Sequence, residues 1–394
     1  MDRHIFKISG TGCALVDYLY QPVCFTDTVF KQYASGQSGD GGLSPGKLVF
    51  KDEFEKFSGE DYMKAREQIT RGKPPVTLNI GGPSIVSLIH AAQMLVNEPA
   101  EVYFYGSKGR DEGAAFIEEQ LLKTPLKTGK YKIANQYTPF TDVLSDPDYD
   151  NGHGERIFIN NIGAAWELFP EDLDDSFFDS NMIVFGGTAL APYIHLSLLE
   201  LLKKAKDKKA VTIVNTVYDF LNEKTNPEKA WPLGRSVETY NYIDILITDM
   251  EEALRLSGRQ TVDEAMDFFG KTDVGAVIVT HGTHPVHYFS RGKLFIAASG
   301  SKPVSEKVKN TAERAGDTTG CGDNFVGGII ASVAKQLIHQ SCQPVNLEEA
   351  IALGVISGGY ACFYHGGTFY EDYPGQKKEW MEPYYQDYLR QTGN

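Results

Sequence analysis

Residues 315–325 read Ala-Gly-Asp-Thr-Thr-Gly-Cys-Gly-Asp-Asn-Phe and place two carboxylates, two hydroxyls and three glycines in one short turn. The apolar residues that follow have helical spacing and predict a helix over 323–339: Phe325, Ile329, Ile330, Val333 and Leu337. The N–H groups and the positive dipole end at a helix N-terminus favour an anion. Asp323 would lie beside that anion, where a carboxylate is useful if it takes a proton from a group attacking a phosphate. The stretch therefore indicates phosphoryl transfer, although a bare Gly-x-Gly-Asp also fits a purely structural helix cap.

The composition is that of an acidic globular protein. The 394 residues include 38 Lys and Arg against 52 Asp and Glu, a net charge of −14, which argues against nucleic acid or an anionic membrane as a partner. The five cysteines are scattered singly. That pattern indicates neither a disulfide framework nor a zinc site, and it favours a reducing compartment. Because no signal-peptide pattern and no long apolar span are seen, we expect a cytoplasmic protein.

Strand-length apolar runs alternate with amphipathic helical segments through much of the chain. This alternation predicts an α/β fold with a mainly parallel sheet, helices on both faces and ligands at the carboxyl ends of the strands. The predicted strands cover residues 5–9, 76–80, 101–105, 181–185, 211–215, 243–247 and 276–280. The predicted helices cover residues 83–96, 112–123, 193–207, 251–256, 262–269, 323–339 and 347–364.

Two regions depart from the alternation. We expect one domain over 1–394, with small strands of a lid inserted at about 18–75 and a C-terminal extension at about 368–394 that packs on the surface and carries no chemistry. The extension is rich in Tyr and charged residues.

The run Asp-Thr-Thr-Gly-Cys-Gly-Asp at 317–323 resembles the C-terminal motif of the ribokinase-like (PfkB-type) carbohydrate kinase family, Asp-Thr-x-Gly-Ala-Gly-Asp, with Cys321 in place of Ala. Other stretches resemble family motifs in the family's order, so that the resemblance spans about residues 5–367. They are 8–17, 79–84, 105–113, 154–158, 248–253, 280–283 and 365–367. The resemblance implies a ribokinase-like fold, a twisted and mainly parallel sheet flanked by helices with a small β lid.

The resemblance also implies the catalytic and acceptor sites. Asp323 would be the base, and the backbone N–H groups of Gly320, Cys321 and Gly322 would form an anion hole. On the acceptor side, Asp17 and the Gly81-Gly82 backbone would bind the sugar hydroxyls.

The family often has Asn where Val86 stands, four positions beyond Gly82. The substitution removes a polar sugar contact, and Asn79 is a candidate replacement. We expect these two positions to affect which substrate binds more than whether the protein is active.

The nucleotide site is implied by a second group of residues, Asp249, Glu252, Thr280, Gly282 and Gly366. ATP would lie across the turn at Gly282, and Mg²⁺ on its phosphates would be reached by Glu252 through water. Asp249 replaces the family's Asn. An ordinary capping box of Asp249 and Glu252 fits the sequence equally well.

Two further contacts are candidates. Arg110 follows a predicted strand and is a candidate phosphate contact, with a solvated arginine as the alternative. Asp317 and Thr318 are candidate ligands of a monovalent cation, K⁺.

The predicted function is ATP- and Mg²⁺-dependent phosphoryl transfer to a sugar hydroxyl. One alternative is a nucleoside kinase, because residues 325–328, Phe-Val-Gly-Gly, also resemble adenosine-kinase-type members. Another is a non-catalytic sugar- or nucleotide-binding protein of the same fold, which the departures at Val86, Asp249 and Pro285 leave open. The sequence lacks the Gly-x-Gly-x-x-Gly signature of a dinucleotide-dependent dehydrogenase after its first predicted strand, which argues against that class of enzyme. The expected partners are a sugar or nucleoside and ATP, with a homodimer through the lid as a further expectation.

Overall fold

The structure is a computed structural model, which describes residues 5–37, 39–152, 154–311, 318–339 and 344–393. These residues form fourteen strands: β1 (Phe6–Gly12), β2 (Leu15–Tyr20), β3 (Leu48–Phe50), β4 (Thr77–Gly81), β5 (Ala100–Lys108), β6 (Lys127–Ile133), β7 (Phe140–Asp146), β8 (Glu155–Asn161), β9 (Met182–Gly186), β10 (Val211–Asn215), β11 (Ile245–Asp249), β12 (Ala276–Thr280), β13 (Val286–Ser290) and β14 (Ala298–Lys302).

The same residues form sixteen α-helices: α1 (Thr28–Lys31), α2 (Lys51–Ser58), α3 (Tyr62–Thr70), α4 (Pro83–Met94), α5 (Glu112–Leu121), α6 (Tyr149–Gly152), α7 (Asp175–Phe178), α8 (Pro192–Leu196), α9 (Leu198–Asp207), α10 (Phe220–Thr225), α11 (Met250–Ser257), α12 (Val262–Gly270), α13 (Glu306–Asn310), α14 (Cys321–His339), α15 (Leu347–Tyr360) and α16 (Gln376–Thr392). Short 3₁₀ segments lie at Gly163–Glu167, Pro170–Asp172, Thr188–Leu190, Val237–Tyr242 and Ala361–Phe363.

The principal sheet has nine strands in the order β14-β13-β12-β11-β10-β9-β1-β5-β6. The seven strands from β12 to β6 in this order are parallel, and β13 and β14 add an antiparallel edge. Central strands such as β9, Met-Ile-Val-Phe-Gly, are buried throughout, as expected for a parallel sheet covered on both faces. The strand order reverses at β1. In such folds the crevice at the carboxyl end of the strands at this switch point binds ligands.

Helices cover both faces of the principal sheet. Alternate residues of β9 point to the two cores: Met182 and Val184 pack with α4, α14 and α15, whereas Ile183 and Phe185 pack with α9, α11 and α12. Small residues allow α14 to approach its neighbours closely. A Cβ at Gly327 would lie 2.5 Å from the carbonyl oxygen of Ser87 on α4. The second turn of α14 is therefore packed closely against α4.

A second sheet of five strands, in the order β3-β8-β7-β2-β4, forms the lid. Its strands come from a wider part of the chain than residues 18–75, because β4, β7 and β8 lie beyond that range. The strand predicted over 76–80 forms as β4, but it pairs antiparallel with β2 in the lid and not with the parallel sheet. Partial exposure of Leu78 fits this place, since a central parallel strand would bury both of its faces.

Two of the predicted helices differ clearly from the observed ones, and the C-terminal extension forms a helix that was not predicted. The helix expected over 193–207 is divided into α8 and α9, and the helix expected over 347–364 ends at Tyr360 and continues as a 3₁₀ turn. In the C-terminal extension, the helix α16 packs against α4, α13 and α15 and buries Met381 and Tyr388. Within the described residues, no helix is both long and apolar enough to cross a membrane.

Candidate active site

The glycine turn before α14 is shaped by one close backbone contact. Gly320 has φ +74°, and a Cβ at this residue would overlap the Cα of Gly367. Only glycine fits this position without displacing one of the two turns. A Cβ at Gly322 would meet nothing within 4 Å, so the first turn of α14 is open toward solvent on this side. An anion therefore has room to approach the N–H groups that begin the helix.

Asp323 lies in the first turn of α14. Part of its surface remains accessible, yet the protein surrounds the carboxylate closely enough that burial raises its pKa to about 6. A carboxylate with this pKa is mostly ionised at neutral pH and is a stronger base than an ordinary aspartate. Both properties suit a group that accepts a proton.

Asn324, the next residue, is fully buried and ties the two turns together. Its Nδ2 donates to the carbonyl oxygens of Gly320 and Gly367, both at 2.8 Å. Its Oδ1 accepts from the hydroxyl of Tyr364 at 3.2 Å and from Nζ of Lys377 at 2.7 Å. This side chain fixes the position of the glycine turn relative to the C-terminal part of the chain.

Asp17 lies on the lid strand β2, directly opposite Asn79 on β4 and Thr141 on β7. A Cβ at Gly81 would overlap Asp17 Oδ2, so the carboxylate lies against the glycine backbone. The structure thus brings together Asp17 and the Gly81-Gly82 turn, which were predicted as one acceptor site.

Asn79 connects the lid to the C-terminal turn. Its Nδ2 donates to the carbonyl oxygen of His365 at 3.0 Å, and its Oδ1 accepts from the backbone N–H of Ile80 and the hydroxyl of Tyr370. A Cβ at Gly366 would overlap this amide. Its described bonds thus hold the lid in place, and its role in substrate binding stays a prediction.

Val86 is buried on α4 and packs against Gly367. Its side chain therefore supports the turn that touches Gly320. An unbroken set of contacts runs from the α14 N-terminus through Gly367, Gly366 and Asn79 to the strand position opposite Asp17.

A cavity of about 340 Å³ lies between the end of β12, the N-terminus of α14 and α15. Its lining is largely apolar and includes several small residues: Thr280, Gly282, Thr283, Val286, Val304, Ser305, Val308, Lys309, Thr318, Cys321, Gly322, Phe325, Val355, Gly358, Gly359 and Cys362. The predicted nucleotide residues Thr280 and Gly282 therefore share one cavity with the start of α14. Gly366 lies outside this lining and packs against Asn79.

Asp249 and Glu252 form the capping box of α11 at the carboxyl end of β11. Asp249 Oδ1 accepts from the N–H of Glu252 at 2.8 Å, and Glu252 Oε2 accepts from the N–H of Asp249 and the hydroxyl of Thr216. Burial raises the pKa of Glu252, and the neighbouring Asp249 raises it further. The ordinary capping box, which was the structural alternative for this pair, is thus present.

The same carboxylate pair also fits a divalent cation held through water, because a cation would relieve the repulsion between the two groups. Within the described ranges, no cluster of three or more His, Cys, Asp or Glu side chains could hold a metal ion. Nucleotide phosphates and water would therefore supply most of the ligands of Mg²⁺.

A second cavity, of about 530 Å³, opens under the lid at the carboxyl ends of β9 and β10. Four aromatic side chains and several amides line it: Phe50, Lys51, Asp52, Glu53, Gln136, Asn160, Asn161, Ile162, Gly163, Trp166, Glu167, Ala189, Leu190, Pro192, Tyr218, Phe220, Leu221 and Lys224. Phe50 and Phe220 meet edge to face at 5.5 Å, and Leu190 belongs to the same apolar cluster as Leu15 on the Asp17 strand. A larger hollow of about 890 Å³ lies around 22–27, 69–73 and 146–151, and none of the predicted site residues lines it.

For the remaining predicted site residues, the structure shows fewer contacts with the rest of the site. Arg110 is exposed after the carboxyl end of β5, and its phosphate contact stays a prediction. Asp111 beside it is the N-cap of α5 and accepts from the N–H of Ala114. Thr318 lines the smaller cavity, whereas Asp317 lies outside the described residues, so the predicted cation site rests on Thr318 alone here.

Sequence reasoning missed several residues that hold the site. Thr216 bonds Glu252, and Tyr364 and Lys377 bond Asn324. Thr216 directly follows the predicted strand 211–215, and the carboxyl-end rule was a signal that could have found it. Lys377 gave no such signal, because it stands in a charged tail outside every motif.

This architecture is a ribokinase-like α/β fold. Residues 62–372, most of the chain, match the family described as pfkB family carbohydrate kinase. The chain belongs to this family, which confirms the resemblance and the predicted fold class.

Two curated relatives are 24% identical to the chain. The adenosine kinase of Schizosaccharomyces pombe aligns over 305 residues, 74% of this chain and 84% of the relative. The ribokinase of Staphylococcus aureus aligns over 297 residues, 73% and 83% respectively.

Solved structures share the fold at low sequence identity. Adenosine kinase from Schistosoma mansoni, solved with 2-fluoroadenosine, superposes with a TM-score of 0.67 at 18% identity and covers 92% of this chain and 96% of its own. A probable sugar kinase from Rhizobium etli superposes with a TM-score of 0.69 at 16% identity and covers 98% and 100%. Family membership supports phosphoryl transfer to a sugar or a nucleoside as the activity.

Proposed function

We propose that the protein transfers the γ-phosphoryl group of ATP to a hydroxyl of a sugar moiety, with a nucleoside favoured over a free sugar as the acceptor. The observation that carries the transfer is the start of α14. There an open glycine turn borders the smaller cavity, and Asp323 follows it with a raised pKa.

Each part of this site has a task in the reaction. Asp17 would accept hydrogen bonds from sugar hydroxyls, since an ionised carboxylate binds vicinal hydroxyls well. Asp323 would take the proton from the attacking hydroxyl. The N–H groups of Gly320, Cys321 and Gly322 would stabilise the charge on the transferring phosphoryl oxygens. When bound, Mg²⁺ supplies charge neutralisation on the nucleotide phosphates, and Asp249 and Glu252 are the residues that would hold it through water.

The lid-side cavity supports a nucleoside as the acceptor. A free sugar offers hydroxyls and little apolar surface, whereas four aromatic side chains meet at this cavity. Aromatic rings stack well on a planar base, and the neighbouring amides of Asn160 and Gln136 can bond its edge. The curated relatives include both an adenosine kinase and a ribokinase, so the free sugar is the second candidate.

A panel of nucleosides and free sugars, assayed by ADP release, separates the two acceptors. We expect turnover with at least one nucleoside, and replacing Trp166 with Ala should raise the KM for it roughly tenfold. Trp380 is the matched control, because it is about equally exposed but lies outside the cavity. Turnover with free sugars alone would favour the second candidate. Ligand binding by thermal shift without any turnover would favour the non-catalytic alternative.

A further inference from the structure

Lys377 on α16 is fully buried, and it lies beyond residue 372, where the family match ends. Its Nζ donates to Asn324 Oδ1 at 2.7 Å and to the hydroxyl of Tyr364 at 3.0 Å. The ring centres of Tyr364 and Phe369 lie 5.1 and 5.7 Å from the same nitrogen. The side-chain nitrogen of Lys377 on α16 thus bonds Asn324, the residue next to Asp323.

Placing a lysine here is costly to the fold, because an ammonium group loses its hydration when it is buried. Burial accordingly lowers the pKa of Lys377 to about 7. The charged and titratable neighbours do little to offset this cost. Glu371 uses its Oε1 to accept from the backbone N–H of Lys377, and burial keeps the pKa of His90 on α4 well below its usual value. An apolar residue would fill the same space at lower cost, so the hydrogen bonds that Lys377 Nζ donates have a use of their own.

The use follows from the chemistry of the amide it contacts. A lysine side chain donates hydrogen bonds in both protonation states, and its ammonium form accepts none. Together with the Tyr364 hydroxyl, which donates to the same oxygen, this contact favours the orientation in which the Asn324 oxygen faces Lys377 and its NH₂ group faces the carbonyl oxygens of Gly320 and Gly367. Without this donor, a rotated amide would lose both bonds to the turns.

We propose that Lys377 is a positioning residue for phosphoryl transfer, which holds the glycine turn at the start of α14 in place through Asn324. The inference rests on the proposed function for its effect on turnover. Its effect on the order of the turn does not depend on that function.

The test compares Lys377→Met with Lys378→Met, a neighbouring lysine that is partly exposed. Methionine fills the space with an apolar chain of similar length and removes the donor. We expect kcat to fall roughly 10- to 100-fold, with the KM for the acceptor changed by less than about twofold because the Asp17 side is intact. Lys378→Met should leave kcat unchanged. Equal kcat values for Lys377→Met and the wild type would overturn the proposal.

Double substitution shows whether Lys377 acts through Asn324. In an Asn324→Ala background, Lys377→Met should lower kcat by less than about twofold, because the amide it orients is already absent. A full additional loss of 10-fold or more would overturn the proposed route through Asn324.

Backbone hydrogen exchange tests the positioning without any activity. Lys377→Met should speed exchange in 318–326 and 365–367, whereas Lys378→Met should not. Unchanged exchange in these segments overturns the proposal even if the wild type proves inactive. Faster exchange in a protein without turnover would instead leave the positioning standing and count against the proposed function. If Lys377→Met does not fold, Lys377→Gln takes its place. We expect the same fall in kcat and the same faster exchange, both smaller in size, and unchanged kcat and exchange would again overturn the proposal.

Discussion

Replacing Asp323 with Asn is expected to stabilise the folded protein at neutral pH. The folded state raises the pKa of this carboxyl from 3.8 to about 6. For an acid with a raised pKa, the folded state binds the proton more tightly than the unfolded state. Ionisation therefore costs the folded state stability, and this cost is absent below the unfolded pKa and fully present above about pH 6. Asparagine cannot ionise and avoids this cost.

The size of the effect follows from the shift in pKa. A shift of about 2 pKa units corresponds to roughly 3 kcal/mol, which is an upper figure because part of the Asp323 surface is accessible. The variant should be more stable than the wild type by about 1–2 kcal/mol at pH 7.5.

Urea unfolding of the apo protein at pH 7.5 and at pH 4 measures this difference. At pH 4 the wild-type carboxyl is protonated in the folded state, and the gain should shrink to within about 0.5 kcal/mol. An Asp323→Asn protein that is less stable at pH 7.5, or equally more stable at both pH values, would refute this reasoning.

Two further substitutions test the turn and the acceptor side. Gly320→Ala should destabilise the protein by about 2–4 kcal/mol in urea unfolding and should lower kcat, because the added Cβ overlaps Gly367 and alanine is disfavoured in the left-handed conformation. Gly59→Ala is the control, since Gly59 has φ +73° and a Cβ there would meet nothing within 4 Å. This control substitution should cost about 1 kcal/mol. Equal losses in the two variants would show that the contact with Gly367 is unimportant. Asp17→Asn should raise the KM for the acceptor roughly 10- to 100-fold and leave the KM for ATP nearly unchanged, and equal effects on both would argue against the assignment of Asp17 to the acceptor.

Local sequence patterns predict the elements of this fold better than the pairing between them. The strands over 211–215 and 276–280 form with the predicted bounds because buried parallel strands read as continuous apolar runs. The place of β4 in the lid depends on its antiparallel pairing with β2, a contact between residues about 60 positions apart that no local pattern contains. Helix α16 is charged and contains Pro383, so its sequence resembles a solvated tail, although Met381 and Tyr388 are buried.

The same limit applies to the site. The glycine turn and the start of α14 can be predicted because the turn and the helix that follows it are adjacent in sequence. Lys377 meets Asn324 only through the folded path of the last helix, and its burial contradicts the usual preference of lysine for the surface. Such a residue can be found only once the packing is known.

The turnover of Asp323→Asn with the best acceptor of the panel tests the central claim most directly. With Asp323 as the base, kcat should fall on the order of 10² to 10⁴ while ATP binding stays within about threefold of the wild type, and the acid limb of the wild-type rate near pH 6 should be absent from the remaining activity. Near-normal ATP-dependent phosphorylation by the variant, with the acid limb intact, would contradict the account.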